Sequence, residues 1–338
     1  MFHNVFGFHE TIDSDSKTPY QALHNNFSYN SDTTTLTSKP NGLKFKCGDF
    51  CIRNVTQLTC SKSLDINTSS IKLEHIVVND LKTLYTKFPD SVFQVASQFN
   101  CLEFPDPYTV PENGVSQYEY DGTQGPTSAL ICLPATVYRH FYVPLKLKIG
   151  QTTNNQINNL NAVELLLNNA TEKYFTVKNG YVDATDGSLN RLNKYLNNNP
   201  LLVKEIEDAV CVGIQTNMDA VIDPKTPFII SSQVFCSALS CRYSNINNLN
   251  NWKQFATIVL KSAYKCTLYH AAQTGVNRVF LTFMGGGAFG NKIDWIVDAM
   301  CEAILEVSRN TSATLDIKVC HYQEINSNAQ TKINQYLT

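Results

Sequence analysis

The feature that most constrains this chain is the regular alternation of its C-terminal half. Short β-rich runs at residues 210–215, 228–236, 278–283 and 313–319 alternate with helical patterns at 251–273 and 291–307. Parallel neighbouring strands can be joined only by crossovers of a dozen or more residues, so this spacing predicts an α/β sandwich with helices on both faces of a mixed, largely parallel sheet. The length of 338 residues and a 43% hydrophobic fraction supply apolar material for one sizeable core, which excludes wholesale disorder.

The N-terminal half reads less regularly. Residues 1–40 are polar without a sustained period and are expected to form a loosely ordered extension ahead of a single domain over 41–338. Residues 44–53 alternate as a strand should. Ile71, Leu73, Ile76, Val77, Leu81 and Leu84 fall at helical intervals, predicting one amphipathic helix over 69–88. A short buried strand is expected at 92–96, then an irregular acidic stretch over 98–125. A helix opens near Pro126 and breaks at Pro134. The Asn-rich region around 150–205 reads as an insertion, with a helix at 157–168, a strand at 174–177, a turn at Asn179-Gly180 and a helix from Ser188.

Charge excludes some partners. With 27 basic against 29 acidic residues and no basic stripe, no nucleic-acid backbone is an expected partner. No run of eighteen apolar residues occurs and the start, MFHNVFGFHE, lacks a basic head and an apolar stretch. The expectation is a cytoplasmic protein with no membrane span, a monomer, whose eleven cysteines are reduced and packed. Cys47 and Cys51 have no matching second pair, so no metal site is expected.

Two segments could carry chemistry. In RVFLTFMGGGAFGNKIDWIVDAM a short strand runs into Gly285, Gly286, Gly287, Ala288, Phe289 and Gly290, and a helix follows near Asn291. A turn nearly free of β-carbons lets main-chain N–H groups approach an anion, and the helix N-terminus adds a favourable dipole, as diphosphate binding requires. The letters fit a dinucleotide-binding G-x-G-x-x-G, but only one further strand follows, so a full βαβαβ half is missing. They also begin like a P-loop, yet Asn291-Lys292-Ile293 stands where Lys and a hydroxyl residue belong.

The second segment, from 98 to 125, carries Glu103, Asp106, Glu112, Glu119 and Asp121. Carboxylates converging from one loop can grip a guanidinium or serve as acid and base on a glycosidic bond. Asp121 ranks first because Gly122-Thr123-Gln124-Gly125-Pro126 follows at once, and Glu103 and Glu112 come next. His140 and His270 read as structural histidines, while a Cys236–His270 nucleophile pair stays open.

The strand into ASQFN, the acidic loop ending in DGTQGP and the later LTFMGGGAFGN together resemble the macrodomain superfamily, over residues 90–145 and 228–320. The resemblance is nearest to divergent arginine-specific ADP-ribosyl hydrolases of the MavL type. It implies a three-layer α/β/α fold, no cofactor, and two partners: ADP-ribose and an ADP-ribosylated protein substrate. It implies that Gly285 to Gly290 hold the diphosphate with Asn291 at the helix start and Gln124 nearby, that Phe289 and Asn100 meet the distal ribose, and that Glu103, Glu112 and Asp121 form an acidic cluster at the scissile bond. Gly48-Asp49-Phe50 is its candidate for an adenine-reading Asp49. The tandem-Glu signature of poly(ADP-ribose) glycohydrolases is absent, so the expected reaction is removal of ADP-ribose from arginine. A non-catalytic ADP-ribose reader and a hydrolase of another ADP-ribose linkage stay open as alternatives.

Overall fold

The computed structural model describes residues 1–10, 19–59, 70–146 and 148–337. Its centre is a seven-stranded sheet of β1 (Asp49–Asn54), β2 (Ser70–Val77), β3 (Val92–Ala96), β4 (Cys211–Ala220), β5 (Ile229–Cys236), β6 (Arg278–Thr282) and β7 (Thr314–His321). The spatial order is β1-β4-β5-β3-β6-β7-β2. β4 runs antiparallel to both of its neighbours, whereas the β5-β3-β6-β7-β2 portion is parallel throughout. The mixed, largely parallel sheet expected from the alternation is the one formed, and its parallel strands all end at one edge. Crevices for ligands open at that edge in such sheets.

Period-two alternation splits the core between the two faces. On the central strands Val234, Val279 and Leu281 join one hydrophobic cluster, while Phe93, Val95, Phe235 and Phe280 join the other. Helices α1 (Leu81–Lys87), α2 (Gln124–Ile131) and α3 (Leu133–Phe141) supply the second cluster. The first is covered by α4 (Pro200–Ala209), α5 (Lys253–Thr274), α6 (Ile293–Asn310) and α7 (Ser327–Leu337). α5 is buried along most of its length, as befits a helix apolar on nearly every side. Among the described residues no helix is long and apolar enough to cross a membrane.

Three expectations are corrected. The helix over 69–88 is instead strand β2 followed by α1, with Ser69 outside the described residues. Ile71 and Leu73 also sit two apart, and pairing β2 in parallel register with β7 satisfies the backbone that a helix would have satisfied alone. Asp80 then starts α1 by accepting N–H bonds from Lys82 and Thr83. The single strand over 44–53 is two, Lys44–Lys46 and β1, in separate sheets and parted at Gly48. The described part of the N-terminal stretch is not loose either. Residues 2–6 form a short helix, and strands Phe27–Asn30, Thr35–Ser38 and Lys44–Lys46 make a small sheet whose Phe27, Leu36 and Phe45 are buried with Phe2 and Phe6. Aromatic anchors spaced through a polar background supply the burial that the mean composition hides. Residues 11–18 of that stretch lie outside the described residues.

The region after α3 carries helices Asn161–Leu166 and Asp186–Asn198 around a hairpin, Thr176–Lys178 with Tyr181–Asp183. Its turn is Asn179-Gly180, both at positive φ, as that dipeptide favours. The ten described cysteines are all free.

Candidate active site

Where β3 ends, the chain folds back on itself. Cys101, at φ 60°, donates its N–H to the Gln98 carbonyl, and the Gln98 side chain bonds both the N–H and the carbonyl of Phe104. This reversal returns Glu103 to the strand end, where its N–H donates to Tyr118 Oη at 2.8 Å, and Tyr118 Oη in turn meets His140 Nε2 at 2.7 Å. The Glu103 carboxyl lies against the first turn of α2. A β-carbon on Gly125 would fall 2.5 Å from Glu103 Oε2 and 2.4 Å from the Ala96 carbonyl, so only glycine lets the helix and the carboxyl approach this closely.

Glu103 is 4% exposed, and its Oε1 has no hydrogen-bond partner among the described residues. Burial pushes its carboxyl well above the ordinary carboxylate value, outweighing the opposing pull of the Arg139 charge and the Ser97 hydroxyl. The nearby Asp121 charge adds to the rise. This rise favours the protonated form of Glu103, the form with a proton to give. Arg139 is itself fully buried, its guanidinium donating to the Cys101 carbonyl, Gln215 Oε1 and Thr136 Oγ1 and stacked on Phe235 at 3.7 Å. Sequence reasoning passed over it, although a lone arginine in the apolar helix LPATVYRHF was the available signal.

Asp121 caps the short helix Ser116–Tyr120, and its Oδ1 accepts the Thr123 N–H at 2.9 Å, which fixes the turn before α2. Gln124 is tied to the end of β3: Oε1 accepts the Ala96 N–H at 2.7 Å and Nε2 donates to the Gln94 carbonyl at 3.1 Å.

The glycine turn stands between β6 and α6. Gly285 lies at φ 70° with room for no side chain: a β-carbon would sit 2.4 Å from that of Ala238 and 2.6 Å from Asn291 Nδ2. Asn291 is buried and bonds the Leu239 and Gly285 carbonyls, pinning the turn. The N–H groups of Gly286, Gly290 and Asn291 are used within it. Those of Gly287, Ala288 and Phe289 have no partner among the described residues, on a stretch where Gly286, Gly287 and Ala288 are exposed. Phe289 packs edge-on against Tyr243, and Tyr181 lies near both rings. Gly285→Ala is expected to lower unfolding stability by about 2 kcal/mol or more, from left-handed strain and the Ala238 clash, read as an earlier denaturation midpoint.

Glu103, Asp121, Gln124, Gly285, Gly287, Ala288 and Phe289 share one cavity of about 600 Å³ along the C-terminal edge of the sheet. It continues past the turn to Asp80, His321 and Tyr322, and dips into an apolar slot walled by Leu84, Tyr85, Phe93 and Phe280. Gly286, Gly290 and Asn291 belong to the same turn without lining the cavity, and three further candidates stand apart from it. Glu112 spends its carboxylate on the N–H and hydroxyl of Thr153. Asn100 is buried, its amide bonded to Gln156 Oε1 and to the Leu102 N–H. Asp49 begins the edge strand β1 and accepts from Asn217 Nδ2. The acid that does line the cavity beyond the glycine turn is Asp80, at the start of α1, which falls in the interior of the helix expected over 69–88.

Burial pulls His140 down to about 3 and His270 down to about 4, so both rings are neutral at pH 7. Burial pushes the Cys236 thiol up to about 12, and its recorded partners are Thr267, Gln94 and the Ala263 carbonyl, so no thiolate nucleophile is prepared there.

No protein-family model matches this chain, and no curated protein matches it. Among solved structures it is similar to a point mutant of the poly(ADP-ribose) glycohydrolase from Thermomonospora curvata, at 11% identity over 94% of this chain and 95% of that one, with a TM-score of 0.45. It is also similar to the poly(ADP-ribose) glycohydrolase from Deinococcus radiodurans in complex with ADP-ribose, at 9% identity over 86% and 94% of the two chains, with a TM-score of 0.42.

Proposed function

We propose that this protein hydrolyses the N-glycosidic bond joining C1″ of ADP-ribose to a protein arginine. The observation that carries the reading is the buried Glu103 with an unpartnered oxygen and a carboxyl that burial pushes toward its protonated form, in the same cavity as a turn that offers unpaired main-chain N–H groups. Strand order supports one polarity for the ligand. The glycine turn follows β6, the acids follow β3 on one side of it, and Asp80 and Tyr322 follow β2 and β7 on the other. With the diphosphate on the N–H groups of Gly287, Ala288 and Phe289 and near the N-terminus of α6, the distal ribose faces Glu103 and Asp121. The base takes the aromatic slot near Asp80.

The chemistry balances with two carboxyl groups. As the C1″–N bond breaks, its electron pair stays on nitrogen, and the guanidine released takes the Glu103 proton. A water oxygen bonds C1″ and passes its proton to the Asp121 carboxylate, whose charge also faces the cationic linkage. General acid and base help of this kind is worth about 10²–10⁴-fold.

The test offers arginine-ADP-ribosylated protein and follows ADP-ribose release, with poly(ADP-ribose) and an ester-linked ADP-ribosyl protein as parallel substrates. Release from the arginine linkage supports the reading. Tight ADP-ribose binding without release reduces the protein to a reader, and release only from the other substrates reassigns the linkage. Asp121→Ala is expected to cut the release rate by about 10²-fold or more while calorimetry finds ADP-ribose affinity largely kept.

A further inference from the structure

We infer that Glu10 is a positioning residue for the catalytic loop, clamping the start of the short helix Ser116–Tyr120 whose far end presents Asp121. The inference rests on the hydrolase reading above. The Glu10 carboxylate accepts the Val115 N–H at 2.8 and 3.0 Å through its two oxygens, and accepts the Ser116 N–H as well. It thus caps, from more than a hundred residues away in sequence, a helix whose own Val115 has no side chain that could do so. Gly114, at φ 84°, lies flat against it, and a β-carbon there would be 2.5 Å from Glu10 Cδ. The far end of the same helix is fastened by the same segment, because the Phe2 N–H donates to Glu119 Oε1 at 2.8 Å.

The helix held in this way touches both proposed catalytic groups. Asp121 is its C-terminal cap, and Tyr118 within it bonds the Glu103 N–H. The segment is anchored independently of the cavity, since Phe2 and Phe6 are buried and the Ser38 hydroxyl donates to the Phe6 carbonyl. Glu10 does not line the cavity, so its effect passes through the loop alone. Its carboxyl is itself held above the ordinary value by burial, opposed by the Val115 and Ser116 amides.

The experiment compares wild type, Glu10→Ala, Glu10→Gln and Ser38→Ala on arginine-ADP-ribosylated protein, with ADP-ribose affinity by calorimetry and hydrogen exchange over residues 114–121. A shift of the reacting groups of about 1 Å costs about 10²-fold, so Glu10→Ala should lower kcat on that scale while ADP-ribose affinity stays within about twofold. Exchange over 114–121 should quicken. Glu10→Gln keeps an acceptor oxygen and should restore most of kcat, and Ser38→Ala, which loosens the anchor of the same segment but leaves the Glu10 carboxylate in place, should lower kcat less than Glu10→Ala does. An unchanged kcat with unchanged exchange in Glu10→Ala overturns the inference, as does equal loss of kcat and ADP-ribose affinity. If wild type releases no ADP-ribose, the hydrolase reading fails by itself, and the clamp is then decided by exchange: faster at 114–121 in Glu10→Ala supports it, unchanged refutes it.

Discussion

Glu103→Gln should lower ADP-ribose release by about 10²–10⁴-fold with little change in ADP-ribose affinity, since the amide keeps the shape of the carboxyl and removes the proton it donates. The same substitution has a stability signature of definite sign. Burial raises the folded-state value of Glu103 above the ordinary 4.5, so as pH climbs through 4.5 the unfolded chain gives up this proton and the folded chain keeps it. Over that window, up to the folded-state value, the carboxyl costs the fold progressively more stability as pH rises. Glu103→Gln removes this dependence. Its thermal midpoint, relative to wild type, should therefore move upward between pH 4.5 and neutrality. Catalysis runs the same way: the acid is competent below its folded-state value, and the rate should fall as pH rises through it. A substitution that leaves the rate intact removes Glu103 from the mechanism.

Gly287→Asp carries the other large effect, on binding. A β-carbon at Gly287 meets nothing within 4 Å and its φ lies outside the left-handed region, so the backbone accepts a side chain there. What changes is charge. Two like charges about 4 Å apart near a protein surface repel by about 4 kcal/mol, which weakens ADP-ribose binding by about 10³-fold if the diphosphate lies on this turn. The variant should fold as wild type does by circular dichroism and lose ADP-ribose in calorimetry. Undiminished affinity would place the diphosphate elsewhere. Gly287 is the better probe than Gly286, where a β-carbon already crowds Ile296 at 3.2 Å.

Within the parallel half of the sheet β3, β5, β6 and β7 were legible as short β-rich runs separated by longer segments, and the strand, glycine turn and helix around Gly285 fall close to where that pattern places them. β2 was not, because an edge strand carrying Ile71, Leu73, Ile76 and Val77 satisfies helical spacing and strand spacing at once. That ambiguity also hid Asp80, which starts the helix after the strand. The acidic loop shows a different limit. Residue type and order pick out carboxylates, but the fold decides which of them reach the cavity. Glu103 is carried there by a left-handed turn at Cys101, whereas Glu112 is drawn off by Thr153, forty-one residues further on. Such long-range pairings leave no local trace, and neither does the Glu10 clamp.

The most direct measurement is a crystal structure of the protein with ADP-ribose bound. The account predicts diphosphate oxygens within hydrogen-bond reach of the Gly287, Ala288 and Phe289 N–H groups, with C1″ turned toward Glu103 and Asp121. A nucleotide bound away from the turn, or bound in the cavity with C1″ pointing toward Asp80, would contradict it.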